Sequence, residues 1–534
     1  MQGYFVGVDV GTKSARAGVF DGQGKLHGSA SRPIDLVGSD DGRREQSSAQ
    51  IWRAVCDCVA AAVALSRVDP AAIRGIGFDA TCSLVVYGAG TGVGAAERPD
   101  LDVIVWSDHR AIAQADRINA MGHPVLDYVG GTISPEMQTP KLLWLRENLP
   151  EVYGAAAHFF DLADFLTYKA SGALARSVCT TTCKWTYLGH ENRWDDSYFR
   201  QIGLDDIADD GFARIGQQVV AAGTPLAQGL VAAAATAMGL TPGIAVGAAL
   251  IDAHAGGLGT VGADPGAGGA CRTMAYVFGT SSCTMTSGDA AHFVPGVWGP
   301  YHSAMVPGLW LNEGGQSAAG AAMDHLVASH PATAQAMAAA EAEKQGQTQW
   351  LADRALALSP NPSAAVNLAE GLHVVPEYAG NRSPLADPSR RAVIAGLGLQ
   401  TGVDSLVALY VAGLCGLACG LRQIIAAQQA VGVSVDAIAV SGGAGTHPLS
   451  CQIIADVTGL TVALTESPEP VLLGSAMLGA VAAGACPDLI QAMPQMSRVA
   501  RRFTPSPAMQ ALHAQRFDAF ERLQAVGAEL GSLA

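Results

Sequence analysis

The chain has 534 residues, and 49% of them are apolar, which is typical of a globular protein with two or more domains. Its 32 Lys and Arg against 47 Asp and Glu give a net charge of −15, and a surface this acidic does not favour nucleic acid as a partner. The first residues lack the basic and apolar stretches of a secretory signal. The apolar segment 406–421 is shorter than the roughly 18 residues of a membrane span, so we expect a core helix there and no membrane partner.

The eleven cysteines form no CxxC motif. Cys179/Cys183 and Cys415/Cys419 have helical i,i+4 spacing, but no histidine in the sequence around them completes a zinc pattern. We therefore expect reduced, mostly buried thiols in a cytoplasmic protein.

The first 80 residues predict a β-hairpin, a third strand, and a helix that leads into a fourth strand. We predict strands at 4–10, 15–20, 25–34 and 73–78 and a helix at 50–66, from β-branched and aromatic runs, glycine turns and helical apolar spacing.

The same order begins again in the second half, with strands at 274–278 and 283–286 around a Gly-Thr-Ser-Ser turn. This turn and the Gly-Thr-Lys-Ser turn at 11–14 lie 268 residues apart, which predicts two similar halves facing each other across a cleft. The Gly/Pro-rich segment 262–270 is the predicted boundary, so we assign domains to 1–262 and 271–490 and a helical tail to 491–534.

Two further helical segments are predicted. The Ala-rich stretch 315–345 should be helical and partly exposed. From Pro507 onward the tail reads as an amphipathic helix whose apolar positions are Leu512, Phe517, Phe520 and Leu523.

Residues 244–260 contain the most informative stretch, an apolar, glycine-spaced run that ends in Asp252. Such a run is typical of a buried strand, and α/β sheets bind ligands at the carboxyl ends of their strands. Asp252 is therefore a candidate catalytic residue. The alternative is that Asp252 only caps the helix that follows.

Two other strand ends are candidates for nucleotide binding. Asp9 precedes a tight turn whose amides could hold phosphate oxygens, and its carboxylate could hold Mg²⁺. The strand at 437–441 runs into Gly442 and Gly443, where the backbone could approach a flat ring closely. The alternatives are an ordinary hairpin and an ordinary strand-to-helix turn.

Three glycine turns at strand ends, spread over two halves, resemble the ATPase superfamily of actin, Hsp70 and the sugar kinases, an α/β fold in which two ribonuclease-H-like domains flank a nucleotide cleft. Within it the chain resembles the FGGY carbohydrate kinases, on the motifs at 9–12, 139–144, 250–254, 279–282, 313–317 and 441–444. It is most similar to the D-ribulokinase branch of the pentulose kinases, on the stretches 75–84, 106–110, 133–137, 183–187 and 380–384. Ser107 departs from the methionine that the resemblance leads us to expect.

The resemblance implies a role for each matching residue. It makes Asp252 the catalytic base and Asp9 the Mg²⁺ ligand, and it gives the sugar Ala80, Lys184, Asp252 and Glu313, with Asp79 and Asp108 as weaker candidates. The residues implied to bind ATP are Gly11, Thr12, Lys13, Ser14, Gly279, Thr280, Ser281, Gly320, Asp324, Gly442, Gly443, Ala444 and His447.

Simpler roles stay open for several of these residues. Lys184 could be a surface lysine beside Trp185, and Glu313 could be an acid at the start of a helix. Asp79 and Asp108 could tie loops together through backbone amides.

The function implied is ATP-dependent phosphorylation of the terminal hydroxyl of a ketopentose, with D-ribulose converted to D-ribulose 5-phosphate. The alternatives are a kinase for L-ribulose, D-xylulose or a tetritol, and a nucleotide-switched interaction protein of the actin or Hsp70 kind. We expect ATP with Mg²⁺ and a small sugar as the ligands, and a homodimer is one option for the assembly.

Overall fold

The computed structural model describes residues 3–39, 42–94, 98–263, 269–443 and 445–532. Ala444 and residues 264–268 of the predicted linker lie outside these ranges.

The strands of the first half are β1 (Tyr4–Val10), β2 (Ser14–Asp21), β3 (Leu26–Pro33), β4 (Val37–Gly38), β5 (Arg44–Gln46), β6 (Ile73–Ala80), β7 (Leu84–Tyr87), β8 (Val103–Ile104), β9 (His158–Asp161), β10 (Arg176–Ser177), β11 (Val219–Val220), β12 (Ala245–Val246) and β13 (Leu250–Ile251). Those of the second half are β14 (Thr273–Phe278), β15 (Ser282–Gly288), β16 (Trp298–His302), β17 (Trp310–Gln316), β18 (His373–Val375), β19 (Val393–Ala395), β20 (Ala437–Ser441), β21 (Thr461–Thr465) and β22 (Val499–Phe503).

The helices of the first half are α1 (Ser48–Ser66), α2 (Ile112–Met121), α3 (Gln138–Asn148), α4 (Pro150–Ala155), α5 (Leu162–Ser171), α6 (Val178–Lys184), α7 (Asp196–Gln201), α8 (Asp205–Asp209), α9 (Ala232–Met238) and α10 (Asp252–Val261). Those of the second half are α11 (Gly320–Ala328), α12 (Thr333–Ala342), α13 (Gln347–Ala357), α14 (Val403–Ala430), α15 (Pro448–Thr458), α16 (Pro470–Ala482), α17 (Leu489–Met496) and α18 (Gln510–Gly531).

Each half is built on one large sheet, and the two sheets share their central strand order. In the first half the order is β3-β2-β1-β6-β12, with β13 also paired to β6, and in the second it is β17-β15-β14-β20-β21. In both sheets the first three strands are antiparallel neighbours and the last two are parallel additions. This arrangement confirms the predicted α/β fold of two ribonuclease-H-like domains.

The sheets differ at their edges. The second sheet is extended by β16 beside β17 and by β22 beside β21. The first half instead carries a separate sheet in the order β4-β5-β8-β7-β9. Because β22 belongs to the second sheet, the predicted helical tail is part strand, and its helix α18 packs Phe520 into the core of that half.

Two sequence-based expectations need correction. The run before Asp252 forms two short strands, β12 and β13, because the backbone between them pairs with another segment: the Ala248 amide donates to the Thr224 carbonyl at 2.9 Å, and the Ala248 carbonyl accepts from the Gly223 amide at 2.9 Å. The segment 406–421 lies within the 28-residue α14, so its length does not exclude a membrane span. Both α1 and α14 are long and apolar enough to cross a membrane, but 72% of the most apolar window of α14 is buried within the protein, as expected for a core helix.

Helices α10 and α16 cross between the two sheets with very close backbone contact. A Cβ atom at Gly259 would lie 2.0 Å from the Pro470 carbonyl oxygen, and one at Gly474 would lie 2.0 Å from that of Ala255. Helix α16 also packs on β1 and β6 of the first sheet. Because α10 begins at Asp252, this packing holds Asp252 beside the ends of β1 and β6.

Candidate active site

Three carboxylates meet where β1, β6 and β13 end. Asp9 and Asp79 are paired neighbours on β1 and β6, and Leu250 and Ile251 pair with Asp79 and Ala80 directly before Asp252. Asp9 and Asp79 are buried, whereas Asp252 is partly exposed. The structure therefore brings four predicted site residues together at one edge of the first sheet: Asp9, Asp79, Ala80 and Asp252.

Asp252 has the properties of a general base. Burial, followed by the negative charge of Asp9, raises the pKa of Asp252 to about 6. Its Oδ1 accepts a hydrogen bond of 2.8 Å from the Ala253 amide, while Oδ2 has no hydrogen-bond partner within the described ranges. Asp252 is the first residue of α10, and Ile251 is the N-cap. The bond to the Ala253 amide at the helix start uses only Oδ1 of Asp252, so Oδ2 stays available.

Asp9 is held by an ion pair that connects the two halves. Arg16 Nε donates to Asp9 Oδ2 at 2.7 Å, and Arg16 Nη1 donates to Glu469 Oε2 at 2.9 Å, just before α16. Behind Asp9, Asp79 accepts a hydrogen bond from Ser475 of α16. Burial and then the charge of Asp9 raise the pKa of Asp79 well above its usual range, and Asp79 lies behind Asp9 as a buried neighbour.

The acidic group around Asp9 fits a divalent cation. The charge of Asp9 raises the pKa of both Asp79 and Asp252, and a bound cation would relieve this repulsion. The described residues include no cluster of three acidic, histidine or cysteine side chains that could hold a metal alone. This suits Mg²⁺, which typically takes one or two carboxylates and completes its shell with phosphate oxygens and water.

Lys184 and Glu313 present opposite charges near Asp252. Lys184 ends α6 and is only 9% exposed, so the alternative of a surface lysine is wrong. Its Nζ lies 5.7 Å from the centroid of the Trp298 ring and makes no hydrogen bond with any described residue. Glu313 lies in β17, so the alternative of an acid at the start of a helix is also wrong. His254, two residues after Asp252, contacts Glu313 Oε2 at 3.3 Å, and α6, which ends at Lys184, packs on β13 directly before Asp252.

Glu313 is firmly ionised. Burial opposes ionisation, but the hydrogen bond from His254 and the charge of Lys184 lower the pKa of Glu313 to about 2. A buried carboxylate and a buried ammonium with unused hydrogen-bonding capacity suit a ligand rich in hydroxyls, with a carbonyl or hydroxyl oxygen for the ammonium.

A cavity of 680 Å³ opens in the second half, where the sequence predicts the nucleotide. A site of this size lies within the usual range for small-molecule pockets. Six predicted residues line it: Gly279, Thr280, Gly320, Asp324, Gly443 and His447. Thr348, Gln349 and Tyr410 also line it, and their positions in α13 and α14 carry no sequence signal for a nucleotide.

Close backbone contacts shape the turns at this cavity. The Gly279 carbonyl accepts from the Gly320 amide at 2.9 Å, and a Cβ atom at residue 320 would lie 2.7 Å from that carbonyl oxygen. Gly442 has a φ of 91°, and its Cβ would lie 2.4 Å from the Phe278 carbonyl oxygen. Gly443 faces open space, where a flat ring could lie against the backbone. Ser281 and Gly442 adjoin the cavity in sequence but do not line it.

The corresponding turn of the first half is one residue longer. The Gly11 amide donates to the Ser14 carbonyl at 3.0 Å, whereas the Gly279 amide donates to the Ser281 carbonyl at 3.0 Å. Thr12 Oγ1 accepts a 3.0 Å hydrogen bond from the Trp106 indole, and Lys13 is exposed.

Asp108 has a different environment from the other predicted sugar residues. Its Oδ2 accepts from the Arg44 amide at 2.7 Å, and its Oδ1 accepts from the Arg110 amide at 2.9 Å. It also pairs with the Arg110 guanidinium, which in turn binds Glu45. With both oxygens engaged, Asp108 fits the alternative in which it ties loops together.

Several residues near the sugar side were not among the predicted site residues, although Arg382 falls in the stretch 380–384 that carries the resemblance. The Arg382 guanidinium lies 5.6 Å from the centroid of the same Trp298 ring that Lys184 approaches. The Tyr301 hydroxyl is buried without a hydrogen-bond partner among the described residues. Cys179 Sγ lies 3.1 Å from His254 Nδ1, so one of the cysteine pairs does have a histidine neighbour in space.

Comparison with known proteins agrees with this geometry. Residues 4–259 match the N-terminal domain of the FGGY family of carbohydrate kinases, and residues 274–483 match its C-terminal domain. The chain is 46% identical over 531 residues to an FGGY carbohydrate kinase domain-containing protein of Danio rerio, covering 97% of both chains. It is 37% identical over 513 residues to a D-ribulokinase of Saccharomyces cerevisiae, covering 90% of this chain and 72% of that protein.

The fold also has solved relatives. A xylulose kinase from Rhodospirillum rubrum superposes with a TM-score of 0.79 at 22% identity, covering 99% of this chain and 100% of that one. Sugar kinases of this type use ATP as co-substrate, generally with Mg²⁺. The chain belongs to the FGGY family of carbohydrate kinases.

Proposed function

We propose that this sugar kinase phosphorylates the terminal hydroxyl of a ketopentose, with D-ribulose converted to D-ribulose 5-phosphate. The observation that carries the proposal is the free Oδ2 of Asp252 beside the ends of β1 and β6, at the start of a helix whose His254 contacts Glu313. The 37% identity to a D-ribulokinase supports the choice of sugar.

In the proposed reaction Lys184 and Glu313 bind oxygens of the sugar and orient its terminal hydroxyl toward Asp252. The hydroxyl proton passes to Asp252 Oδ2 as the oxygen attacks the γ-phosphorus, and the bond to the β,γ-bridging oxygen breaks to release ADP. Asp9 would hold Mg²⁺, which stabilises charge on the phosphate oxygens when it is bound.

The nucleotide would lie in the 680 Å³ cavity, with its phosphates near the Gly279–Thr280 turn and its base near Gly443. The turn at Gly11–Ser14 would contact the phosphates from the other half. Phosphoryl transfer depends mainly on positioning and charge stabilisation, so two similar turns on opposing sheets suit the reaction.

A panel of sugars tests the proposal. ADP release would be measured with D-ribulose, L-ribulose, D-xylulose and a tetritol, and without any sugar. We expect the highest kcat/KM with D-ribulose and little ADP release without sugar. A higher kcat/KM for another member of the panel would replace D-ribulose, and equal ADP release without sugar would favour a nucleotide-switched protein.

A further inference from the structure

A buried chain of three side chains links the two halves beside the sugar residues. His254 Nδ1 lies 3.1 Å from Cys179 Sγ of α6, and His254 Nε2 lies 3.3 Å from Glu313 Oε2 of β17. Cys179 and His254 are both fully buried, and Glu313 is 6% exposed. The contact between His254 and Glu313 therefore joins the helix that starts at Asp252 to the second sheet.

The same chain also holds the start of α10. The Ile251 amide, directly before Asp252, donates to Cys179 Sγ at 3.4 Å. Cys179 lies in the first turn of α6, and Lys184 ends this helix. One set of contacts therefore connects the elements that carry the base, the ammonium and the carboxylate of the site.

Glu313 uses only one oxygen in this chain. Oε2 contacts His254, whereas Oε1 has no hydrogen-bond partner within the described part of the protein. A carboxylate fixed through one oxygen presents the other in a defined direction, which a hydroxyl-bearing ligand needs for an oriented hydrogen bond.

We infer that His254 is a positioning residue for the sugar: it fixes the carboxylate of Glu313 relative to Asp252, with Cys179 holding the ring from its other nitrogen. His254 itself touches no reacting atom in this account. The inference rests on the proposed function, because it assigns Glu313 to the sugar.

The charges around these groups agree with this role. Burial opposes protonation of His254, but the charge of Cys179 and the contacts with Cys179 and Glu313 raise the pKa of His254 to about 10. Burial likewise opposes ionisation of Cys179, whereas hydrogen bonds and the His254 charge lower its pKa to about 5. An imidazolium between a thiolate and a carboxylate donates through both nitrogens. The groups that face Glu313 from the surrounding elements are His254, Cys183, Lys184, Cys283, Tyr301 and Arg382.

Two amide substitutions separate the two contacts of His254. His254→Asn places an amide nitrogen near the position of Nδ1 and loses the donor to Glu313. His254→Gln places it near the position of Nε2 and can keep that donor. We expect His254→Asn to raise the sugar KM about tenfold or more, the scale of losing a hydrogen bond to a charged group, and His254→Gln to raise it less. The KM for ATP should stay within about twofold in both variants.

The pH dependence gives a second readout. Loss of the imidazolium raises the pKa of Glu313, so protonation then competes with sugar binding. The ratio of the sugar KM of His254→Asn to that of the wild type should therefore grow between about pH 8 and about pH 5.5.

A buried histidine far from the site is the matched control. His513 on α18 is 1% exposed, and its ring nitrogens have no hydrogen-bond partner among the described residues. We expect His513→Asn to leave both KM values unchanged, with any effect confined to the unfolding temperature.

The results separate this inference from the proposed function. Equal sugar KM values for the wild type, His254→Asn and His254→Gln would overturn the positioning role, as would equal rises in the two variants at every pH. Should neither histidine variant fold, Cys179→Ala decides: a raised sugar KM with an unchanged ATP KM supports the role, and an unchanged sugar KM contradicts it. Absence of ketopentose turnover in the wild type would instead refute the proposed function.

Discussion

The two sheets share their central strand order, but the side chains near the ends of corresponding strands are charged in the first half and uncharged in the second. In the first half β1 and β6 end near Asp9 and Asp79, and Asp252 follows from β13. In the second half β14 and β20 end at Phe278 and Ser441, without charge. Strand order and direction are shared, so the difference lies in the side chains at the strand ends and in the turns after them.

This comparison explains how one fold can serve two ligands. The carboxylates of the first half gather charge where a cation and a proton acceptor are needed. The uncharged ends of the second half leave a 680 Å³ cavity with exposed backbone. The proposed function therefore places the proton acceptor and the cation in the first half and the nucleotide cavity in the second, and the following predictions test that division.

The largest effect is expected at the base. Asp252→Asn should lower kcat by at least about 10², the usual scale of a general base, because the amide cannot accept the hydroxyl proton. The KM for ATP should change little. The control is Asp404→Asn on α14, where the aspartate side chain is 72% exposed and pairs with Arg354. Near-normal turnover of Asp252→Asn in steady-state ADP release would remove Asp252 from the mechanism.

A smaller effect is expected at the ammonium. Lys184→Ala should raise the sugar KM about tenfold to hundredfold, because it removes a charged donor from a buried site, and leave the ATP KM nearly unchanged. Lys169 is a matched control, because it also packs against a tryptophan. The Lys169 Nζ lies 5.9 Å from the centroid of the Trp52 ring, and the Lys184 Nζ lies 5.7 Å from the centroid of the Trp298 ring. A similar sugar KM for Lys184→Ala, Lys169→Ala and the wild type would show that Lys184 only packs against its tryptophan.

A substitution at the cavity of the second half should raise the KM for ATP and leave the KM for sugar unchanged. Gly320→Ala would place a Cβ atom 2.7 Å from the Gly279 carbonyl oxygen and displace the turn at the cavity. We expect the ATP KM to rise roughly tenfold, the effect of about 1–2 kcal/mol of overpacking, with the sugar KM unchanged. Gly154→Ala on α4 meets open space and serves as the control. A rise in the sugar KM alone would break the assignment of the two halves.

The smallest effect is expected from pH. Asp252 accepts a proton only when ionised, and its raised pKa means that this form is lost as pH falls through about 6. The kcat/KM for sugar should fall from its plateau as pH decreases, with the midpoint at or below about 6, because a cation at Asp9 would lower the pKa of Asp252. Asp252→Asn should lack this acid limb, and thermal unfolding at each pH checks that the protein stays folded. A flat profile down to about pH 5 would contradict the shifted pKa.

Much of the frame could be predicted because it depends on local patterns. Glycine turns and β-branched runs located the hairpin β1–β2 and the strand β14, and the spacing of the turns predicted two similar halves. The length of α14 was underestimated, because Arg422 appeared to end the apolar run. Hydrogen bonds of Ala248 with residues 223–224, which no local pattern records, interrupt the strand before Asp252.

Strand-end patterns alone marked Asp9, Asp252 and the turn at Gly442–Gly443, whereas Lys184 and Glu313 were expected only from the family resemblance. The contact between Cys179 and His254 was missed because the two residues are 75 positions apart and meet only when α6 packs beside α10. Asp108 resembled a site residue in sequence, yet its bond with the Arg44 amide, 64 positions away, depends on the way distant loops meet.

The most direct test of the proposed transfer from ATP to a sugar hydroxyl is to identify the product. Phosphorus NMR of the protein incubated with Mg²⁺, ATP and D-ribulose should show ADP and a sugar phosphate ester appearing in equal amounts, with no reaction when the sugar is omitted. Formation of ADP and inorganic phosphate at the same rate with or without the sugar would contradict transfer to a hydroxyl activated by Asp252.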